Sequence, residues 1–349
     1  MTRTEPGRPA VNPHAQRIVL AHGGGGQLTD ELLAEIIRPR LDNEWLGELD
    51  DSAVLSIPAG DLAFTTDSYV VQPLEFPGGD IGRLAVAGTV NDLAVCAADP
   101  AYISLSLILE EGLELDLLRR ILDSVAKTAE EAGVRIVTGD TKVVARGQAD
   151  GMYINTAGVG LIPPGRRLGL QHIRAGDVVL ISGEIADHGL AVMLQREQSS
   201  AIRSELESDV APLNELVGKL LAEVPDVVFL RDPTRGGLAG VISDLAERTG
   251  LHLAIDETGI PIRQETLYAA EMLGLDPLDV ANEGKVVVVC RPEAADAALR
   301  AMHANPLGRK AAIIGRFEEV ADGLCELLTS VGGRRIIQKP YGEELPRIC

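Results

Sequence analysis

Residues 81–97 read IGRLAVAGTVNDLAVCA. Ile81, Leu84, Ala85, Leu93 and Cys96 recur at helical spacing with little polar surface between them, so the stretch predicts a helix buried on most sides. Asp92 breaks the apolar run. A carboxylate inside such a helix is costly to bury unless a cation, a donor or another partner compensates it, which makes Asp92 the sharpest local indication of chemistry.

Outward from this helix, short β-rich runs alternate with amphipathic stretches from Gln16 onward, the signature of an α/β protein. Strands are predicted at 17–21, 52–57 and 62–66, with a helix at 28–37. After the buried helix come a strand at 102–109, a helix at 115–133 ending on a glycine, and strands at 134–137 and 152–161. Pro163-Pro164-Gly165 interrupts the pattern, and a second α/β unit opens with a strand at 177–181. It continues through a helix at 188–196, a mobile-looking polar stretch at 198–208, and alternating elements up to a strand at 311–317. The expected organisation is a disordered lead-in at 1–15, an N-terminal domain at 16–164, a C-terminal α/β domain at 165–338 and a flexible tail at 339–349.

Composition narrows the partners. A net charge of −20 over 349 residues repels phosphate backbones and anionic lipid, which argues against nucleic-acid or membrane association. Aromatic content of 3% also leaves few platforms for stacking bases. No apolar run reaches the roughly 18 residues of a membrane span, and the opening residues lack the apolar core of a secretory signal. The four cysteines form no C-x-x-C pair and no zinc spacing, so a reducing cytoplasm fits best. Cys96 and Cys290 read as small buried core residues.

Four acids fall at or near the ends of predicted elements: Asp51, Asp67, Asp92 and Asp140. Each alone reads equally as a cap or a solvated turn residue. If they converge, they form an oxygen-only site suited to Mg²⁺. The run Gly23-Gly24-Gly25-Gly26 lies between a predicted strand and a helix, where its amides could approach a phosphate or simply form a turn. It is neither a Walker A loop nor a dinucleotide fingerprint. Arg231-Asp232-Pro233-Thr234-Arg235-Gly236-Gly237 opens a helix and suits an anionic group. Glu283, in Asn282-Glu283-Gly284-Lys285, reads as a surface residue or, if turned into a cleft, as a base. Lys142, two residues after Asp140, could offset carboxylate charge or hold an oxyanion. None of the six histidines shows a catalytic or metal spacing. The ending Pro346-Arg347-Ile348-Cys349 places a thiol on an arm that Pro346 keeps out of a helix. That thiol is either incidental or a group carried into a pocket.

Taken together, Gly23–Gly26, Thr65-Thr66-Asp67-Ser68, the stretch from Phe76 to Leu93 with Asn91-Asp92, Thr138-Gly139-Asp140-Thr141-Lys142, the Arg231–Gly237 loop, Asn282-Glu283-Gly284 and the Pro-Arg-Ile-Cys ending resemble the HypE family of hydrogenase maturation proteins. The acidic motifs indicate its superfamily, that of aminoimidazole ribonucleotide synthetase and thiamine monophosphate kinase; the terminal Pro346-Arg347-Ile348-Cys349 separates HypE from those relatives. The resemblance implies a two-domain α/β, PurM-like fold, a homodimer formed through the N-terminal sheet, and ATP with Mg²⁺ in the cleft between domains. It implies a carbamoyl dehydratase. The carbamoyltransferase HypF loads Cys349, ATP drives dehydration to a thiocyanate, and the cyano group passes to iron on the HypC–HypD scaffold.

The same resemblance assigns nucleotide contacts to Gly23, Gly24, Gly25, Gly26, Asp51, Asp67, Asn91, Asp92, Asp140, Lys142, Asp232, Thr234 and Arg235. It assigns Mg²⁺ to Asp51, Asp67, Asp92 and Asp140, and catalysis to Cys349, Glu283 and Lys142. The first sixteen residues carry no family signal, and the four-glycine run stands where the family shows Gly-Ser-Gly-Gly. Two other readings stay open: a kinase or amidine-forming synthetase for a soluble metabolite, which would not need Cys349, and a nucleotide-sensing scaffold that docks its tail without chemistry.

Overall fold

The computed structural model describes residues 17–23, 27–48, 55, 58, 60–196, 205–339 and 347–349. The predicted lead-in, the strand at 52–57 apart from Leu55, Gly24, Gly25, Gly26, Asp51 and Pro346 lie outside the described residues.

The first half is built on a four-stranded sheet in the order Asp61–Tyr69, Met152–Ile162, Asp99–Glu110, Arg135–Val144. Side chains alternate across it, so Ile103, Leu105, Leu107 and Leu109 enter the core from one strand. The Ile81–Val95 helix lies on that inner face. Its start is fixed by Asp80, whose carboxylate accepts from Gly82 N at 2.7 Å and Arg83 N at 2.9 Å. The Leu115–Ala132 helix packs beside it and stops at Gly133, left-handed at φ 70°. This is the buried helix that the apolar spacing predicts.

The second half holds a seven-stranded sheet in the order Arg334–Ile337, Cys325–Leu328, His252–Asp256, Ala312–Glu318, Val178–Ile181, Val287–Cys290, Val227–Arg231. Val179 and Ile181 face one side with Leu238 and Ile242, while Val178 and Leu180 face the other with Leu216, Leu220 and Met302. Helices therefore cover the Val178–Ile181 region from both sides, which explains its unbroken apolar sequence.

Several local expectations change. The run at 17–21 is no strand: Arg17 makes one isolated bridge to Glu114, and Leu20–Gly23 is a 3₁₀ turn. The helix at 28–37 is interrupted by a π turn over Leu33–Ile37. Cys96 is exposed at the end of its helix, whereas Cys290 is buried as expected. No helix among the described residues is long and apolar enough to cross a membrane.

Candidate active site

The buried helix carries Asp92 against the Asp61–Tyr69 strand, where the Thr65 hydroxyl donates to Asp92 Oδ2 at 2.8 Å. Alternation puts Asp67 and Tyr69 on the same face, and the Tyr69 hydroxyl donates to Asp67 Oδ2 at 3.1 Å. From the second half, Asp232 and Glu283 approach these acids. Burial, then the Asp92 charge, pushes Asp232 up to about 7. Burial, then Asp232 and Asp209, raises the Glu283 carboxyl well above its ordinary range. Glu283 is 3% exposed, and its buried Oε1 has no hydrogen-bond partner among the described residues. Such crowding of like charge is what a functional cation or proton transfer makes use of.

The scaffold around Glu283 is stiff. Asp209 accepts from Glu283 N at 3.1 Å and from Lys285 Nζ at 2.8 Å. Burial opposes the Asp209 charge, but the Lys285 ammonium outweighs it and holds the carboxyl below its usual range. Asn282 donates to Pro233 O at 3.0 Å, tying the Arg231–Gly237 loop to the same turn. Gly237 sits at φ 58° with Leu278 O 2.4 Å from where a Cβ would stand, so only glycine fits there. At Gly284 a Cβ would lie 1.8 Å from Asp209 O. A Gly284→Ala chain is therefore expected to lose about 2 kcal/mol or more of stability and to shift Glu283; an unchanged urea midpoint would contradict this packing.

The tail enters the same cleft. Val70 N donates to Cys349 O at 3.1 Å, Gln72 N to Arg347 O at 3.2 Å, and His188 Nε2 lies 2.7 Å from Ile348 O. Ile348 is 4% exposed and Cys349 is half-buried. Residues 347–349, the described end of the tail, are thus packed in this structure, and 340–346 lie outside the described residues. Burying an isoleucine is worth about 2 kcal/mol, and each hydrogen bond adds about 1 kcal/mol. Ordering a backbone residue costs about 1–2 kcal/mol. These are comparable, so the seat is shallow enough to leave.

The other expected site residues divide. Asp67 and Asp92 come together with Asp232, while Arg235 contributes charge to Asp92 from an exposed position. Thr234 is half-buried in the same loop, and Gly23 closes the 3₁₀ turn. Asn91 is fully buried, and its amide is committed to structure, accepting from Leu213 N at 2.7 Å and donating to Ala211 O and Glu283 O. Convergence of all the predicted acids does not occur within one chain. Asp140 pairs through Ser106 and Asn155 with Ser68, placing it on the outer face at the far edge of the sheet, about 14 Å across three strand spacings. There it contacts Lys142 Nζ at 3.0 Å, with both side chains exposed. No three carboxylates, histidines or thiols among the described residues are drawn to metal-binding distance. The donor set of Asp67, Asp92 and Asp232 still fits Mg²⁺, which takes much of its shell from water and phosphate.

Residues 49–162 match the family model for the AIR synthase related protein N-terminal domain, and residues 174–323 that for its C-terminal domain. The carbamoyl dehydratase HypE of Rhizobium leguminosarum bv. viciae is 48% identical over 334 residues, 95% of either chain. The chain belongs to the HypE family. A crystal structure of HypE in complex with ATP superposes with a TM-score of 0.91 at 44% identity, covering 95% of this chain and 99% of that one. The HypE–HypF complex gives 0.77 at 42% identity, covering 90% and 100%. The two-domain α/β expectation and the HypE resemblance therefore hold over nearly the whole length. Sequence reasoning missed His188, Ser208, Asp209 and Lys285 around the HypE-type tail. Lys285 carried a usable signal, since a lysine entering a run of valines demands a buried counter-charge.

Proposed function

We propose that the chain uses ATP to dehydrate an S-carbamoyl group on its own Cys349 to a thiocyanate, the source of cyanide ligands for iron in a nickel–iron hydrogenase. The observation that carries this reading is the seat of the tail, with Cys349 O on Val70 N, one residue beyond the Tyr69 that bonds Asp67. Support also comes from relatives named carbamoyl dehydratases and from one solved with ATP.

The amide oxygen is a poor leaving group. Transfer of the γ-phosphoryl group to the carbamoyl oxygen forms a C–O–P linkage and releases ADP. Cleavage of the C–O bond then expels phosphate, which carries the oxygen away, and the nitrogen gives up its two protons over the two steps. Glu283 is the base for an N–H proton, and its orphaned Oε1 is the accepting atom. Asp67, Asp92 and Asp232 would hold Mg²⁺, which neutralises the triphosphate and relieves the repulsion that keeps the proton on Glu283. Burial of the tail excludes water from the intermediate.

HypF is the carbamoyl donor partner, by analogy with the solved HypE–HypF complex, and the HypC–HypD scaffold the acceptor of the cyano group. Intact mass tests the reaction: the HypF-loaded chain should lose one water on addition of Mg·ATP, whereas ATP consumption without that loss would favour another substrate.

The outer sheet face supports a homodimer. Phe64 is 68% exposed opposite Val159, beside Leu62 at 44% opposite Leu161. A dimer through this face would give the exposed Asp140 and Lys142 a nucleotide on the partner subunit to act on, with Lys142 stabilising charge on the departing group. Phe64→Lys should shift the chain to monomer in sedimentation velocity, and a persistent dimer would reject this interface.

A further inference from the structure

Tyr69 ends the Asp61–Tyr69 strand with its ring in the core and its hydroxyl at the acidic cluster. That hydroxyl has one proton to give. A carboxylate only accepts, so the proton goes to Asp67 Oδ2 at 3.1 Å, and Thr89 Oγ1, 3.5 Å from the phenol oxygen, is left as the donor to it. Thr89 Oγ1 is also 2.5 Å from Thr156 Oγ1, and the same accounting makes Thr156 the donor of that pair. Thr89 and Thr156 are both fully buried. The hydroxyls therefore form one directed chain from Thr156 through Thr89 and Tyr69 to Asp67, in which each bond polarises the next and every proton points toward the carboxylate.

The chain is anchored on both elements that carry the acids of the first half. Thr156 is the register partner of Asp67 across the sheet, and Thr89 stands one turn ahead of Asp92 on the Ile81–Val95 helix. The phenol fits because residue 88 is glycine: a Cβ there would lie 2.3 Å from the Tyr69 hydroxyl oxygen but 3.2 Å from the nearest ring carbons. Phenylalanine would fill the same core with far less demand on residue 88, so it is the hydroxyl that the glycine makes room for. Asp92 has a donor of the same kind in Thr65, at 2.8 Å.

We propose that Tyr69 is a positioning residue for the metal: its hydroxyl holds the Asp67 carboxylate in place for Mg²⁺, and Thr89 and Thr156 hold the hydroxyl. The inference rests on the reading of Asp67 as a Mg²⁺ ligand and adds what orients it. A carboxylate with no such donor has to be ordered by the ion itself, at the expense of binding. Outer partners of this kind are typically worth about 10–100-fold in metal affinity.

The test measures binding of a non-hydrolysable ATP analogue to the full-length chain by equilibrium dialysis, once in saturating Mg²⁺ and once in EDTA. The ratio of the two affinities reports what the metal contributes. Tyr69→Phe, which keeps the ring, should lower that ratio about tenfold and leave the affinity in EDTA at the parent value. Thr89→Val leaves the tyrosine in place and removes only its donor, so it should lower the ratio in the same direction by a smaller factor. Asp67→Asn is the reference, expected to lower the ratio at least as far as Tyr69→Phe. A ratio that falls in Asp67→Asn and stays at the parent value in Tyr69→Phe would overturn the positioning role and leave the metal reading standing. Equal loss of affinity in both solutions by Tyr69→Phe would reduce the residue to a core support and overturn it too. A parent ratio near one, or a ratio that Asp67→Asn does not move, would remove the metal reading and this inference with it.

Discussion

A Cys349→Ser chain is expected to bind ATP like the parent, seat its tail like the parent, and form no detectable thiocyanate. The seat survives because Val70 N holds the backbone carbonyl of residue 349, and Ile348 supplies the buried side chain. What changes is reactivity. A few per cent of an ordinary thiol is thiolate at pH 7, and sulfur is intrinsically nucleophilic, whereas an unactivated hydroxyl is neither ionised nor competent. The variant should therefore fail at loading, with intact mass unchanged after HypF and donor, and should not support an active nickel–iron hydrogenase in cells. Normal maturation by the variant would remove Cys349 from the chemistry, leaving the tail as a docking element.

The main elements were legible because periodicity is local. The Ile81–Val95 helix announces itself through apolar residues on every side, and the Leu115–Ala132 helix through its single apolar stripe and a terminal Gly133. Strands Cys325–Leu328 and Arg334–Ile337 were not legible. Each has only four residues, and the second is exposed over most of its length, so their pairing is set by the neighbouring His252–Asp256 strand. The site divides the same way. Asp92 stood out because a charge in an apolar helix is improbable without a purpose, and Asp67 lay in a recognisable motif. Asp209 lies just past the polar stretch at 198–208 with no motif of its own, and only its contact with Lys285, 76 residues away, gives it meaning. His188 looks like any histidine opening a helix until Ile348 O is placed beside it. Asp140 differs: its motif resembles those of the other acids, but the strand order separates it from Asp67 within one chain.

Glu283→Gln is expected to lower turnover about 10²–10⁴-fold, the contribution of a positioned general base, while raising the thermal midpoint at pH 7. The two effects share one cause. Burial and the surrounding Asp232, Asp209, Asp67 and Asp92 raise the Glu283 carboxyl in the folded chain, so between the unfolded value of 4.5 and the folded one the native state holds a proton that the unfolded state has released. Stability due to this group therefore falls as pH rises through that window. Glutamine, neutral at all pH, removes the dependence, so its stabilising effect should be present at pH 7 and vanish as pH falls below 4.5, where both folded and unfolded forms of the parent hold the proton. Nucleotide binding should be unchanged, since Asp67, Asp92 and Asp232 remain. Near-parent turnover would remove Glu283 as base. A midpoint that drops at pH 7 would mean that the carboxyl is ionised and paired in the free chain, contrary to the crowding of acids around it.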